Sequence, residues 1–328
     1  MPGRAPFAFG AVSVPAGSTR QLELPAGRLP SGTEMSLPIE ILHGVREGPT
    51  VWLSGAIHGD EIVGVEIIRQ VLTAIDASDL AGTVVAAPVV NVFGFVSGSR
   101  YLPDYRDLNR SFPGSPRGSM AAQLARLFVD EVVDRCDLGL DFHAGSGDRT
   151  NLPQVRGNMD DAETRRLALA FAPAVVIHSE PIKGTLRETA LKRGRRVLLF
   201  EGGEPRRFSP AAVQAGITGA LRVLATLDMI GPRAPAPHEP PFESRATHWI
   251  RAPRGGIFRL EVKLGDHIRV GQRIGVISEP GSRLQAPVTS RTTGVVVGHA
   301  VNPLVYRGAA LVHVAEPATP VERPLSRE

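Results

Sequence analysis

The chain has 328 residues, of which 42% are hydrophobic and 5% aromatic, and its net charge at pH 7 is +4. This composition excludes disordered and fibrous proteins and allows a sizeable core. The basic residues are scattered and few aromatic residues accompany them, which argues against a nucleic-acid-binding protein. No apolar run is long enough for a membrane span or, at the N-terminus, for a secretory signal. We therefore expect a cytoplasmic protein with no nucleic-acid or membrane partner.

Strands and helices alternate along the first two thirds of the chain. After short β-type stretches in the first fifty residues, apolar runs predict buried strands, and apolar residues at helical spacing predict helices. In chain order the predicted elements are a strand at 49–59, a helix at 60–75, a strand at 82–94, a helix at 120–135, strands at 137–145 and 195–204, and a helix at 210–230. This order predicts an α/β fold with a mixed, largely parallel sheet covered by helices.

Composition divides the chain into two domains. The proline-dense segment 231–245 has no periodicity and predicts a linker after an α/β domain at 1–230. Residues 246–316 contain short strands and glycine turns in two similar halves, which predict a small β-barrel or β-sandwich. Residues 317–328 are rich in Pro, Glu and Arg and predict a loose tail.

The single cysteine, Cys136, excludes an internal disulfide and fits a reducing compartment. Its surroundings, DEVVDRCDLGLDFH, combine apolar residues with a predicted strand. We therefore interpret Cys136 as a packed residue and not as a nucleophile.

Ionisable residues lie at the ends of three predicted strands. His58 and Glu61 lie at the end of the first strand, His143 at the end of DLGLDFHAG, and Glu201 at the end of RRVLLFEGGE. Taken singly, each position is explained as well by a turn or a hydrogen-bonded structural residue. Because ligands collect at the carboxyl ends of strands in an open parallel sheet, the coincidence of all three predicts a shared site.

Two histidines and one carboxylate are a recurring ligand set of catalytic zinc, which keeps a fourth position for water. His58, Glu61 and His143 supply this set, so we predict one zinc ion per chain. Zinc-dependent hydrolysis also needs a separate carboxylate that accepts and returns a proton. Glu201 is the candidate, Glu204 is a nearby competitor for the role, and the structural alternative for Glu201 is a salt bridge or a helix cap.

The long segment NVFGFVSGSRYLPDYRDLNRSFPG is the other concentration of charged and polar residues. Long ordered loops at this edge of a sheet are usually functional. The planar guanidinium suits carboxylate recognition and can stabilise a developing oxyanion, although a solvated loop face explains the charge equally well. The residues concerned are Arg100, Arg106, Asp107, Asn109 and Arg110.

The stretches GAIHGDE, DLNRSFPG, DFHAG and FEGGE, in this order, resemble the zinc-dependent succinylglutamate desuccinylase/aspartoacylase family, which is related to the zinc carboxypeptidases. The C-terminal stretch from RAPRGGIF to GAALVHVA is similar to the β domain of that family. The resemblance implies a zinc carboxypeptidase-like fold and removal of the acyl group from an N-acyl amino acid or a related small anionic N-acyl compound. It implies that His58, Glu61 and His143 hold zinc and that Glu201 activates water and then protonates the leaving amine. It is also compatible with a homodimer.

Three further residues are assigned with the help of this resemblance. Asn109 and Arg110 match the family pair that binds a substrate carboxylate, and Arg100 matches the arginine that polarises the scissile carbonyl. Arg156 and Arg187 lie in stretches within reach of the pocket, and we interpret both as structural or surface residues.

Two other functions remain open at this point. A zinc carboxypeptidase acting on short peptides uses the same kind of zinc and Asn-Arg set, whereas a β domain leaning over the site would restrict entry to small substrates. The C-terminal domain also resembles biotinyl and lipoyl carrier domains. Such carriers need a lysine at a hairpin tip, and the lysine of this region, Lys263, lies inside EVKLGD instead, which argues against covalent carriage.

Overall fold

The computed structural model describes residues 4–232, 240–281 and 285–318. The helices are α1 (Val63–Thr73), α2 (Val92–Ser97), α3 (Met120–Glu131), α4 (Ala162–Phe171), α5 (Leu186–Lys192) and α6 (Pro210–Thr226), with short 3-10 helices at Leu108–Arg110 and Val133–Arg135. The strands are β1 (Phe7–Phe9), β2 (Val12–Val14), β3 (Ser18–Arg28), β4 (Glu34–His43), β5 (Arg46–Gly55), β6 (Ala81–Ala87), β7 (Leu138–His143), β8 (Arg149–Gly157), β9 (Val175–His178), β10 (Arg196–Gly203), β11 (Phe242–Ser244), β12 (Ala246–Arg251), β13 (Gly256–Leu260), β14 (His267–Ile268), β15 (Arg273–Ser278), β16 (Gln285–Thr289), β17 (Gly294–Ala300), β18 (Leu304–Val305) and β19 (Ala310–Glu316).

The central sheet of the α/β domain is mixed. Its strand order is β3-β4-β6-β5-β7-β10-β8. The inner strands β6, β5, β7 and β10 run parallel to one another, whereas β3, β4 and β8 add antiparallel pairs at the two sides. This arrangement confirms the predicted α/β fold with a mixed sheet.

Helices cover both faces of the sheet. Successive side chains of a strand point to opposite faces, so each inner strand contributes side chains to two cores. In β5, Val51 and Leu53 pack in a core with α1, α4 and α6, while Trp52 between them packs in a second core with α3 and α5. The near-continuous apolar runs of the inner strands follow from burial on both sides.

The C-terminal residues form antiparallel sheets. Strands β13, β15, β16 and β18 form a four-stranded sheet, which shares one core with β12, β17 and β19. Strands β17, β19 and β12 continue the sheet of the α/β domain, because β17 pairs with β8. The two domains therefore meet along a hydrogen-bonded strand pair, with β8 as the shared strand.

The segment predicted as a linker ends in a strand. Residues 233–239 lie outside the described residues, as do residues 319–328 of the predicted tail. From Phe242 to Ser244 the chain forms β11, which pairs in parallel with β9 of the α/β domain. The last part of the predicted linker therefore contains a short strand that pairs with the α/β domain.

Several predicted elements have different bounds in the structure. The strand predicted at 82–94 ends at Ala87, and after Pro88 the chain enters α2, where Asn91 caps the helix by accepting a hydrogen bond from the Gly94 N–H. The helix predicted at 60–75 begins only at Val63. Within the part of the chain that the structure describes, no helix is both long enough and apolar enough to cross a membrane.

Candidate active site

His58 and Glu61 lie in the tight turn between β5 and α1. The turn is closed by a hydrogen bond from the Glu61 backbone N–H to the His58 carbonyl oxygen, 3.0 Å long. Gly59 lies so close to α2 that an added Cβ would be 2.0 Å from the carbonyl carbon of Gly94. A glycine is thus required between the histidine and the glutamate for the turn to pack against the following helix.

The strand ends bring the other two residues to the same place. His143 is the last residue of β7, and Glu201 lies opposite it in the register of the neighbouring parallel strand β10. Glu61 reaches His143 across the strand ends, with its Oε2 2.7 Å from His143 Nδ1. The structure therefore collects the four residues at one edge of the sheet, as expected for the carboxyl ends of parallel strands.

His58, Glu61 and His143 form a compact group of donor atoms. One donor atom from each lies within 4.8 Å of the other two, and all three side chains are buried. Glu61 Oε1 lies 2.7 Å from Nδ1 of His58, yet this nitrogen has no hydrogen-bond partner among the described residues. A buried imidazole nitrogen without a hydrogen bond is costly, and a metal ion bound by the three side chains would satisfy it. The donor set therefore fits zinc.

The outer nitrogens of the two histidines are held by carboxylates. His58 Nε2 lies 3.2 Å from Oδ1 of Asp107, and His143 Nε2 lies 2.9 Å from Oδ2 of Asp141. Such carboxylates fix the tautomer in which the other nitrogen is free to bind metal. The role of Asp141 was not predicted, although it lies two residues before His143 and hence on the same face of β7.

Charge and burial act against each other in this cluster. Burial by itself would lower the pKa of each histidine, but Glu61 and Asp107 raise the pKa of His58, and Asp141 and Glu61 raise the pKa of His143 well above its usual value. Burial would likewise raise the pKa of Glu61, but the two histidines hold it well below its usual value. The cluster therefore keeps Glu61 ionised at neutral pH.

Arg100 lies against the cluster. Its guanidinium donates to Glu61 Oε1 at 3.2 Å, to Asp107 Oδ2 at 2.8 Å and to Ser146 Oγ at 3.1 Å. These bonds hold the guanidinium beside the predicted metal ligands, where it could reach the carbonyl oxygen of a substrate.

Asn109 and Arg110 are presented by the 3-10 helix Leu108–Arg110. Asp107 caps this helix by accepting a hydrogen bond from the Asn109 N–H at 2.8 Å. Asn109 Oδ1 accepts a hydrogen bond from the Leu186 N–H at the start of α5, and the Arg110 guanidinium donates to the Asn109 carbonyl oxygen. Both side chains line the same cavity as the predicted metal ligands.

Glu201 and Glu204 are separated by the structure. The carboxylate of Glu201 lines the cavity and accepts a hydrogen bond from Nδ2 of Asn151 at 2.8 Å. Burial raises the pKa of Glu201, against the opposing effect of Arg156. Glu204 lies outside this cavity, 3.5 Å from Arg207. Of the two glutamates, only Glu201 is placed beside the predicted metal ligands.

Arg156 and Arg187, which we interpreted as structural or surface residues, also line the cavity. Arg187 is buried and donates to Ser179 Oγ and to the Glu180 carbonyl oxygen. Burial, together with nearby Arg156, lowers the pKa of Arg187 to about 10. Their position on the cavity wall was not predicted, because no strand had been predicted at β8, which carries Arg156, and no helix at α5, which carries Arg187.

The cavity has a volume of about 180 Å³. Within the described residues, no carboxylate lies within ion-pair distance of Arg156, Arg187 or Arg110. A small cavity with several unpaired guanidinium groups next to two histidines and two glutamates is suited to bind a small anionic molecule.

Comparison with known proteins identifies the family. The succinylglutamate desuccinylase/aspartoacylase catalytic domain matches residues 47–227. The chain is 30% identical over 283 residues to the N-alpha-acetyl-L-2,4-diaminobutyric acid deacetylase of Halomonas elongata, covering 82% of this chain and 83% of that protein.

Solved structures agree with this match. A succinylglutamate desuccinylase/aspartoacylase from Rhodobacter sphaeroides is similar with a TM-score of 0.82 and 27% identity, covering 92% of this chain and 95% of that chain. The product-bound ectoine utilization protein EutE from Ruegeria pomeroyi has the same fold, with a TM-score of 0.82 and 22% identity over 95% of this chain and 99% of that chain.

Fold, site and family match together define a hydrolase that acts on amide bonds. Within that class, the chain belongs to the succinylglutamate desuccinylase/aspartoacylase family. This confirms the family resemblance of the sequence motifs.

Proposed function

We propose that the protein is a zinc-dependent deacylase that removes the acyl group from an N-acyl amino acid or a related small N-acyl compound. The observation that carries the proposal is the convergence of His58, Glu61 and His143 with Glu201 on one cavity. The deacetylase relative from Halomonas elongata supports the same type of reaction.

His58, Glu61 and His143 would hold the zinc ion. When bound, zinc supplies an electrophile for the acyl carbonyl and lowers the pKa of water. Asp107 and Asp141 support the site by fixing both imidazole rings through their outer nitrogens. Both of these supporting hydrogen bonds are present in the structure, which favours a metal ion at this position.

Glu201 has the properties of the proton-transfer group. Its carboxylate faces the cavity, and burial raises its pKa toward the range in which a carboxylate can accept a proton from water and return it to a leaving nitrogen. Arg100 would stabilise negative charge on the carbonyl oxygen of the substrate. Asn109 and Arg110 would bind a substrate carboxylate.

The substrate proposed is small and anionic. The cavity volume of about 180 Å³ leaves little room for a peptide. Arg110, Arg156 and Arg187 bring positive charge into the cavity without carboxylate partners among the described residues, so a substrate anion would provide the missing partner. We extend the proposal to a cytoplasmic enzyme that forms a homodimer, in keeping with the expectations from the sequence.

Metal content is the first test. Purified protein should contain close to one zinc per chain, and a His143→Ala variant should lose it. His248→Ala is the matched control, because His248 is an exposed histidine of the C-terminal domain. A wild-type protein that remains free of metal after zinc is supplied would contradict the proposal.

Substrate class is tested by release of free amine. N-acetylated and N-succinylated amino acids with acidic, neutral and basic side chains should be hydrolysed faster than dipeptides and tripeptides. Faster cleavage of the peptides would instead favour a zinc carboxypeptidase. A Glu201→Gln variant should keep its zinc and lose most turnover, and near-wild-type turnover would refute the role of Glu201.

A further inference from the structure

Asn151 connects Glu201 to the C-terminal domain. Its side-chain nitrogen donates a hydrogen bond of 2.8 Å to Oε2 of Glu201, and its side chain is buried. Among the described residues, no other side chain donates a hydrogen bond to the Glu201 carboxylate. The bond therefore restricts the direction in which the carboxylate points.

The position of Asn151 is set by three adjacent strands. Asn151 lies on β8, where it is paired with Gly203 of β10 on one side and with Gly298 of β17 on the other. The strand β10 carries Glu201, and β17 belongs to the C-terminal domain. Asn151 thus occupies the point at which the strand of the catalytic carboxylate and the C-terminal domain meet.

Gly298 provides the space that the Asn151 amide needs. A Cβ added to Gly298 would lie 2.8 Å from Oδ1 of Asn151, closer than a real Cβ contact allows, and 3.3 Å from the carbonyl oxygen of Thr150. The backbone of Gly298 lies outside the left-handed region, so the backbone itself would accept alanine. The Asn151 amide, and not the local backbone conformation, is therefore the nearest obstacle to a side chain at this position.

A glutamate side chain has several rotatable bonds, and a proton-transfer group must be held within hydrogen-bond reach of the atom it serves. Small displacements of such a group are costly for the reaction rate. The Asn151 N–H supplies a fixed donor, and the interdomain strand pair holds that donor in place.

We infer that the C-terminal β domain orients the catalytic carboxylate, because Gly298 of β17 seats the Asn151 amide that holds Glu201. Asn151 is a positioning residue, since it acts through Glu201. This inference rests on the proposed role of Glu201 and adds a function for the C-terminal domain in the reaction.

The kinetic test uses Asn151→Ala and Gly298→Ala. Each variant should lower kcat by about tenfold or more, with KM and zinc content unchanged, because substrate and metal contacts are kept. The double variant should lose little more than either single variant, because both changes break the same hydrogen bond. The controls are Asn302→Ala, which removes an exposed interdomain hydrogen bond to Asp148, and Gly255→Ala, whose Cβ would lie 3.4 Å from its nearest neighbour.

Crystal structures of the variants test the inference without substrate. The Glu201 carboxylate should turn away from its wild-type position in both variants and keep that position in both controls. An unmoved carboxylate together with unchanged kcat would overturn the inference. A displaced carboxylate in a protein whose wild type hydrolyses no N-acyl compound would uphold the positioning by Asn151 and refute the proposed function instead.

Discussion

Replacing Asp141 by asparagine should weaken the proposed zinc binding without changing any of the three proposed zinc ligands. Asp141 is completely buried, and its Oδ2 accepts a hydrogen bond from His143 Nε2 at 2.9 Å, while its Oδ1 accepts one from Ser54 Oγ at 2.7 Å. For His143 Nδ1 to bind zinc, the proton of the neutral imidazole must be on Nε2, which then donates the hydrogen bond to Asp141. The carboxylate thus fixes the tautomer and makes the imidazole a stronger ligand.

The size of the effect follows from the two partners of Asp141. An asparagine can still accept from His143, because its NH₂ group can face Ser54 Oγ, which is able to accept a hydrogen bond. Only the charge of the acceptor is then lost, and charge-assisted hydrogen bonds are about twice as strong as neutral ones. We expect zinc affinity to fall about tenfold, or about 1.4 kcal/mol, in Asp141→Asn and about a hundredfold in Asp141→Ala.

Zinc affinity can be measured by competition with a chromophoric chelator at fixed pH. Asp148→Asn is the matched control, since it removes the same charge from an exposed aspartate outside the cavity. Equal zinc affinity in Asp141→Asn, Asp141→Ala and wild type would refute the argument that the carboxylate behind His143 supports the metal site.

Three further predictions concern Glu201, Cys136 and Gly139. Burial raises the pKa of Glu201 above its ordinary value of 4.5, and only the ionised carboxylate can accept a proton. We therefore expect kcat to rise with pH, with the midpoint of the rise above pH 4.5. A pH-rate profile without this rise would contradict the role of Glu201. Burial also raises the pKa of the Cys136 thiol. A thiol reagent at pH 8 should therefore label the unfolded chain and leave the native protein unlabelled. Fast labelling of the native protein would show that the thiol is accessible. A Cβ at Gly139 would lie 1.9 Å from the Trp52 ring, so Gly139→Ala should lower the free energy of unfolding by about 3 kcal/mol in urea titrations, with Gly231→Ala, which meets nothing within 4 Å, as the unaffected control.

Much of the α/β domain could be predicted because its inner strands are buried on both faces. Such strands produce continuous apolar runs, and each run ends at the edge where His58, His143 and Glu201 lie. The position of a residue at a strand end was therefore enough to predict which side chains come together. The strand pairing confirmed the predicted mixed sheet, and the comparison with known proteins confirmed the family.

The unpredicted parts have weaker local signals. The strand β8 has a mixed burial pattern, because it lies between the α/β sheet and the C-terminal strands, and its sequence includes Pro153 and polar residues. Without β8, the sequence did not show that Arg156 lines the cavity or that Asn151 lies beside Glu201. Contacts of this kind depend on tertiary pairing across distant parts of the chain.

The Asp107 carboxylate shows the same limit within the predicted loop. Its presence in DLNR was clear from the sequence, but its contacts with His58 and Arg100 depend on the path of the chain from α2 to the 3-10 helix. Asp141 could have been predicted from the two-residue repeat of β7, which places its side chain on the same face as His143.

The sharing of β8 also governs when the sheet can be completed during protein synthesis. Strand β8 leaves the ribosome long before β17, because β17 lies much further along the chain. Until β17 is made, the backbone groups of Arg149 to Asn151 lack their partner strand and present an open edge, to which another nascent chain could pair. A fragment that stops at residue 232 would retain this edge permanently, so the α/β domain should be produced as part of the full chain.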